Sequence, residues 1–124
     1  MEVLHNAVWV SDLETTLSFY VDALGLEKRW EFVGDDGTTN VFVGGTGEAE
    51  IQFKHRPDRV PPESDGYDHV AVGVADVDAE FERLVDETGC AVRLEPSHSD
   101  GADTRVAFVE DPDGYGVELV EVMD

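Results

Sequence analysis

The sequence predicts an α+β fold of two βαβββ modules that together form a rolled mixed sheet, paired within one chain or across a dimer. Three observations carry that expectation. The stretch HNAVWVSDLETTLSFYVDALGL (5–26) returns as HVAVGVADVDAEFERLVDETGC (69–90) at a constant offset of 64 residues without a gap. An internal repeat outranks any single motif as a guide to architecture, and two copies mean paired modules rather than a solenoid. In each copy, two-residue alternation gives way to helical spacing after an aspartate. Finally, 124 residues at 41% hydrophobic content suffice for a core in one domain or two small fused modules.

Each element follows from local chemistry. An alternating strand opens each copy, at 3–10 and 67–74. Asp12 and Asp76 are placed to cap the helices that follow, because a carboxylate there accepts the unsatisfied N–H groups of the first turn. Leu13, Leu17, Tyr20 and Leu24, and then Val77, Phe81, Leu84 and Val85, carry the spacing of one buried helical stripe. Gly25 and Gly89 stop the helices, since glycine enters the left-handed region without steric cost. Three strands follow in each copy, near 28–33, 38–44 and 48–54, and near 91–95, 104–110 and 115–122. Asp113-Gly114 is the hairpin turn before the last strand. RPDRVPPESDG (56–66) reads as the linker, rich in proline and charge. The modules therefore span 1–55 and 67–124.

Charge excludes several function classes. The chain has 29 acidic residues against 8 basic ones, a net charge of −21, which repels nucleic acid and anionic membrane. Lys28 and Lys54 are the only lysines. An acidic, lysine-poor surface suits a salty cytoplasm, because molar salt shortens the screening length to about 3 Å and removes most self-repulsion. Cys90 is the only cysteine, so no intrachain disulfide forms. No apolar run approaches the ~20 residues of a membrane span, and no basic, apolar leader opens the chain. The expected location is the cytoplasm.

FVEDPDGYGVELVE (108–121) raises the question of chemistry. Glu118 sits between Val117 and Leu119 on a strand, where burying its charge costs several kcal/mol without compensation. Side chains alternate across a strand, so His5 shares a face with Val3, Ala7 and Trp9, opposite Leu4, Val8 and Val10. His69 likewise lies opposite Val70, Val72 and Val74. Glu50 lies opposite Ala49, Ile51 and Phe53, and Glu118 opposite Val117 and Leu119. Each module thus offers one histidine and one glutamate on the face its helix leaves open, with Glu50 matched to Glu118 after a two-residue slip. Gln52, two residues on from Glu50 and on its face, is a rival to it. Two imidazoles and two carboxylates suit nickel, zinc, cobalt, manganese or iron(II). A lone strand histidine is more often a packed residue than a ligand; the repetition shifts the balance toward a metal.

From LHNAVWVSDLETTLSFYVDALGLE through AEIQF and DHVAVGVADV to RVAFVEDPDGYGVELVE, the sequence resembles the glyoxalase/bleomycin-resistance/dioxygenase, or vicinal oxygen chelate, superfamily, and within it bacterial-type glyoxalase I. The resemblance places the family's four ligands on His5, Glu50, His69 and Glu118. It implies a homodimer whose sites draw His5 and Glu50 from one chain and His69 and Glu118 from the other, with nickel or cobalt favoured in short members. It implies isomerisation of a hemithioacetal, formed from a 2-oxoaldehyde and a thiol, to a 2-hydroxyacyl thioester. Glu118 is then the base and Glu50 the facing carboxylate. Glutathione-using relatives carry an arginine four residues after the first histidine and an asparagine four after the first glutamate. Here those positions hold Trp9 and Lys54, which point to a different thiol or substrate. Trp9, Lys54 and Arg105 are the candidate substrate-pocket residues. SHSDGAD (97–103) reads as a polar loop, and His55 and His98 as exposed.

The resemblance also covers other activities: a metal-free protein sequestering a cationic small molecule, an epimerase, a thiol transferase or an extradiol dioxygenase. Four ligand-type residues argue against the first. The second glutamate argues against a dioxygenase, which needs two histidines and one carboxylate on iron.

Overall fold

The computed structural model describes residues 3–59, 67–99 and 104–122. The chain divides into two compact units, Met1–Glu63 and Ser64–Asp124. Residues 60–66 of the expected linker and 100–103 of the expected loop lie outside the described residues.

The first unit runs β1 (His5–Trp9), α1 (Leu13–Leu17), β2 (Glu27–Val33), β3 (Thr39–Gly44) and β4 (Glu50–His55). Its four strands form one sheet in the order β1-β4-β3-β2, with β1 and β4 parallel and the other pairs antiparallel. The second unit repeats this plan with β5 (His69–Gly73), α2 (Val77–Thr88), β6 (Val92–Ser99), β7 (Thr104–Glu110) and β8 (Gly116–Val122), in the order β5-β8-β7-β6. Both are mixed α+β modules of the expected βαβββ order. The parallel contact forms because the helix carries the chain from the first strand's end back across one face.

Both helix starts follow their caps. Asp12 Oδ1 accepts from Thr15 N at 2.9 Å, and Asp76 Oδ1 from Ala79 N at 3.1 Å. Gly89 ends α2 at φ +66°, its N–H donating to Val85 O at 2.8 Å. The expected stripe of α2 holds, with Val77 and Leu84 fully buried. Of the stripe expected in the first helix Tyr20 is buried, while Leu13, Leu17 and Leu24 are half-buried. After Leu17 the backbone widens into a π-helical stretch, Ser18–Ala23, in which Leu24 N reaches Phe19 O at 2.8 Å. The wider turn rotates the buried face onto Thr16, Phe19, Tyr20 and Ala23. Tyr20 packs on Phe53 at 4.7 Å between ring centroids.

Val8, Val10, Val41, Val43, Ile51 and Phe53 are buried in the first unit, and Ala107, Val109, Val117 and Leu119 in the second. Burying each of these larger side chains contributes about 1.5–3 kcal/mol. The opposite face of each sheet carries the histidines and acids. β6 runs to Ser99, further than expected, so 97–99 are strand rather than loop, and His98 pairs with Arg105 across the ladder. His55 ends β4, opposite Thr39.

Candidate metal centre

In the second unit the chemistry gathers at the β5–β8 contact. The ladder sets Ala71 beside Glu118 and Phe108 beside Glu118 on the other side. His69 Nε2 lies 3.2 Å from Glu118 Oε1, and its Nδ1 lies 2.6 Å from Asp68 Oδ2. The Phe108 ring meets the imidazole edge-on at 5.2 Å. In a neutral imidazole whose Nδ1–H donates to Asp68, Nε2 is the nitrogen left with a lone pair, and it is turned toward a carboxylate oxygen. Two acceptors that close need a proton or a cation between them. The donor set therefore fits a divalent metal, and a carboxylate behind the imidazole is the usual outer support of a metal-bound histidine.

The first unit repeats the imidazole: Phe42 meets His5 edge-on at 5.5 Å. Leu4 stands where the second copy has Asp68, so His5 lacks the matching carboxylate. The ladders correct the expected match between the acids. Gln52 lies beside Ala7 and Phe42, as Glu118 lies beside Ala71 and Phe108. By register the counterpart of Glu118 is Gln52, and that of Glu50 is Gly116. The sequence match erred because Glu stands at both 50 and 118, while strand pairing counts neighbours and not letters.

Glu50 has another partner. Arg29 sits in a β-bulge of β2 and lies over Gly44, where a Cβ would come within 2.5 Å of the guanidinium carbon. Its Nη2 donates to Gly45 O at 2.7 Å and Gly47 O at 2.6 Å, and its Nη1 stands 3.5 Å from Glu50 Oε2. Arg93, its repeat partner, occupies the equivalent bulge and lies over Gly116, with its Nε 3.0 Å from Glu110 Oε2 and its Nη2 donating to Gly114 O at 2.8 Å. In one ladder Gly44 faces Glu50; in the other Glu110 faces Gly116. Gln52 is buried, and its Nε2 donates to Asn40 Oδ1 at 2.9 Å.

Trp9 and Lys54 are ladder neighbours on the His5 face, four residues along each strand from His5 and Glu50. Lys54 Nζ lies 5.3 Å from the Trp9 ring centroid, and the guanidinium carbons of Arg56 and Arg59 lie 5.9 and 4.1 Å from it. Arg105 is placed differently from expectation. It shares a face with the buried Ala107 and Val109, and its guanidinium grips both Asp78 oxygens of α2, at 2.6 and 2.8 Å. That bidentate pair holds Asp78 well below the usual carboxylate range and raises Arg105. Among the described residues no three His, Cys, Asp or Glu side chains gather for a metal; the second unit brings His69 and Glu118 together. Sequence reasoning missed Asp68, Arg29, Asn40 and Arg59. Asp68 precedes the second histidine directly, and Arg29 and Arg93 stand at the repeat offset, which was the signal available.

Residues 2–119 match the model of the Glyoxalase/Bleomycin resistance protein/Dioxygenase superfamily. The chain is 35% identical to a protein of Synechocystis sp. named "Probable lactoylglutathione lyase", over 98% of this chain and 95% of that one. It is 35% identical to the lactoylglutathione lyase of Haemophilus influenzae, over 98% and 93%. Among solved structures it resembles glyoxalase I of Zea mays, with a TM-score of 0.84 at 29% identity, over 98% of this chain and 45% of that one. The trypanothione-dependent glyoxalase I of Leishmania major gives 0.80 at 25% identity, over 98% and 86%. With a family model matched over residues 2–119 and relatives of this identity over nearly its whole length, the chain belongs to the Glyoxalase/Bleomycin resistance protein/Dioxygenase superfamily.

Proposed function

We propose that this protein is a metal-dependent carbon–sulfur lyase of glyoxalase I type. It isomerises the hemithioacetal of a 2-oxoaldehyde and a thiol to the 2-hydroxyacyl thioester and works as a homodimer in a salt-rich cytoplasm. The observation that carries this reading is the 3.2 Å approach of His69 Nε2 to Glu118 Oε1, backed by Asp68. His5, His69 and Glu118 would hold a divalent cation, nickel or cobalt by preference, together with a side-chain oxygen of β4. Bound there, the cation supplies Lewis-acid stabilisation of negative oxygen.

The proton chemistry belongs to Glu118. Its carboxylate takes the proton from the carbon bearing sulfur and hydroxyl, and returns it to the neighbouring carbonyl carbon. The hydroxyl proton passes to the former carbonyl oxygen, so the first oxygen ends as the thioester carbonyl and the second as the product hydroxyl, a balanced isomerisation. A 1,2-shift on one face needs a single base. Glu118 is 19% exposed and His69 32% exposed, so the pair is accessible while its surroundings are partly dry. The Trp30–Phe42 stack, 4.1 Å between centroids and next to His5, offers an apolar wall for the aldehyde's alkyl group.

The thiol end is assigned to Trp9, Lys54 and Arg59. Six of the eight cations pair with carboxylates: Lys28, Arg29, Arg56, Arg83, Arg93 and Arg105. Lys54 and Arg59, which have no carboxylate partner among the described residues, both flank Trp9. Arg59 Nε is buried without a hydrogen-bond partner there. In a chain of net charge −21 that is an unusual place to leave positive charge, and it suits a thiol carrying a carboxylate. Four residues of strand put this anchor about 13 Å from His5, so the thiol is at least of dipeptide length.

The test is metal analysis of protein dialysed in molar KCl, followed by assay of methylglyoxal with γ-glutamylcysteine, glutathione and 2-mercaptoethanol. One tightly held ion per chain and thioester formation with a carboxylate-bearing thiol are expected. A metal-free protein that turns over none of the three would overturn the reading.

A further inference from the structure

We infer that Arg93 contacts the substrate and selects a thiol with a free carboxylate close to its sulfur, such as the α-carboxylate of a cysteine that ends its peptide. This rests on the proposed lyase reading and deepens it by naming the class of thiol.

The placement comes from the exchange of acid and glycine between the two ladders. In the first unit the row across the sheet runs His5, Glu50, Gly44. Arg29, on β2, covers Gly44 of the neighbouring strand, and Glu50 stands between that glycine and His5. In the second unit the row runs His69, Gly116, Glu110. Arg93, on β6, reaches across β7 and covers Gly116 of β8, the strand beside His69. The exchange brings the second guanidinium one strand nearer its histidine, about 4.8 Å. A Cβ on Gly116 would lie 2.8 Å from Arg93 Nη1 and 3.1 Å from His69 Cβ, so the cation and the histidine flank one point on one face.

The hydrogen bonds leave one arm of Arg93 open. Arg29 turns its Nη1 to Glu48 O at 3.2 Å and to Glu50 Oε2 at 3.5 Å. In Arg93, Nε donates to Glu110 Oε2 at 3.0 Å and Nη2 to Gly114 O at 2.8 Å. Its Nη1, the nitrogen over Gly116, has no hydrogen-bond partner among the described residues. Where the first unit offers this nitrogen a carboxylate, the second offers a bare glycine, and a ligand carboxylate can take the place. Arg93 is 40% exposed, so such a ligand reaches it. Glu110 and Gly114 already fix the guanidinium plane, so little side-chain freedom is lost on binding.

Reach sets the chemistry of the ligand. Gly116 and Glu118 are two residues apart on one face of β8, about 7 Å along the strand. Glu118 is the base at the carbon bearing sulfur, so the anion held by Arg93 lies within a few bonds of that sulfur. A cysteine α-carboxyl carbon, three bonds from its sulfur, meets this demand. The more distant carboxylate of a dipeptide thiol is left for Lys54 and Arg59. In glutathione the cysteine carboxyl is tied up in a neutral amide and presents no charge to Arg93.

N-acetylcysteine and its amide isolate this one carboxylate. With methylglyoxal, wild type should form thioester from the acid with kcat/KM about tenfold above that from the amide. Arg93→Gln should remove the preference by losing activity with the acid alone. Arg93→Lys, which keeps the charge, should restore part of it, and Arg29→Gln should leave it as in wild type. Binding is read without turnover by titrating unreactive N-acetyl-S-methylcysteine into metal-free wild type and following the Arg93 Nε–H resonance, which should move with the acid and not with its amide. That shift and the wild-type preference decide the matter even if Arg93→Gln does not fold. Equal use of acid and amide by an active wild type, an equal loss on both in a folded Arg93→Gln, or an unmoved resonance would overturn the inference and leave the lyase reading standing. A wild type that turns over neither thiol but shows the shift would lose the lyase reading and keep the carboxylate contact at Arg93.

Discussion

Asp68 Oδ2 stands 2.6 Å from Nδ1 of His69, and the other ring nitrogen faces Glu118. The carboxylate fixes which nitrogen carries the proton, and so which one is available to a cation. Replacing Asp68 with Asn removes the charge but keeps a hydrogen-bonding oxygen. Metal affinity should fall, by about tenfold at most given how exposed Asp68 is, while the far-UV spectrum stays unchanged. Calorimetric titration with Ni²⁺ reads this directly, and an unchanged affinity would mean that the Asp68 contact does not tune the histidine.

Glu118→Gln keeps an oxygen on the same strand position but cannot carry a proton. The kcat for thioester formation should drop by about 10²–10⁴, with metal still bound in dialysed protein. Full turnover in this variant would move the base elsewhere.

Arg59→Gln and Lys54→Gln should raise KM for a carboxylate-bearing hemithioacetal by about tenfold each, one charged hydrogen bond being worth roughly 1.5–3 kcal/mol. Against the same thiol with its carboxylates amidated, neither variant should differ from wild type. Equal effects on both substrates would remove Trp9 and its cations from the thiol end.

Salt should hold this fold together. With 29 acids against 8 bases, self-repulsion extends about 30 Å at 0.01 M salt but only about 3 Å at 1 M. The melting temperature should rise steadily from dilute buffer into molar KCl. A flat profile would mean that the acidic skin is spaced widely enough to be harmless.

Acid should remove a defined set of contacts. Asp12 and Asp36 are held below the usual carboxylate range first by backbone N–H groups, from Thr15 and Thr38, and Asp78 by Arg105. A carboxyl depressed in the folded state stabilises it above the unfolded value, near 3.8, and that contribution fades as pH falls through the lower folded value. In molar KCl, where repulsion is screened, stability should therefore decline below about pH 4. Asp78→Asn should flatten part of that decline; an unaltered slope would show that the Arg105 pair is inconsequential.

Much of this architecture can be read from the chain. The 64-residue repeat foretold two βαβββ units, and Asp12, Asp76 and Gly89 cap their helices as local chemistry requires. His5 and His69 fall at matching places because the first strands align without a gap. What the letters conceal is pairing. A bulge at Arg29 or Arg93, a π turn after Leu17 and the length of β6 are set by neighbours distant in sequence, and each moves side chains by a residue or more. For the same reason the letters alone pair Glu50 with Glu118, and Arg105 reaches Asp78 of α2 instead of the histidine face.

The exchange of acid and glycine across the two ladders bears on how the halves diverged. Arg29 and Arg93 respond only to a negative group within reach, whichever strand supplies it, so an acid lost from one side can be compensated from the other without disturbing the hairpin. Such trades leave the fold intact while scrambling any column-by-column alignment of the two copies. Ancestral equivalence in this chain is kept by who sits beside whom.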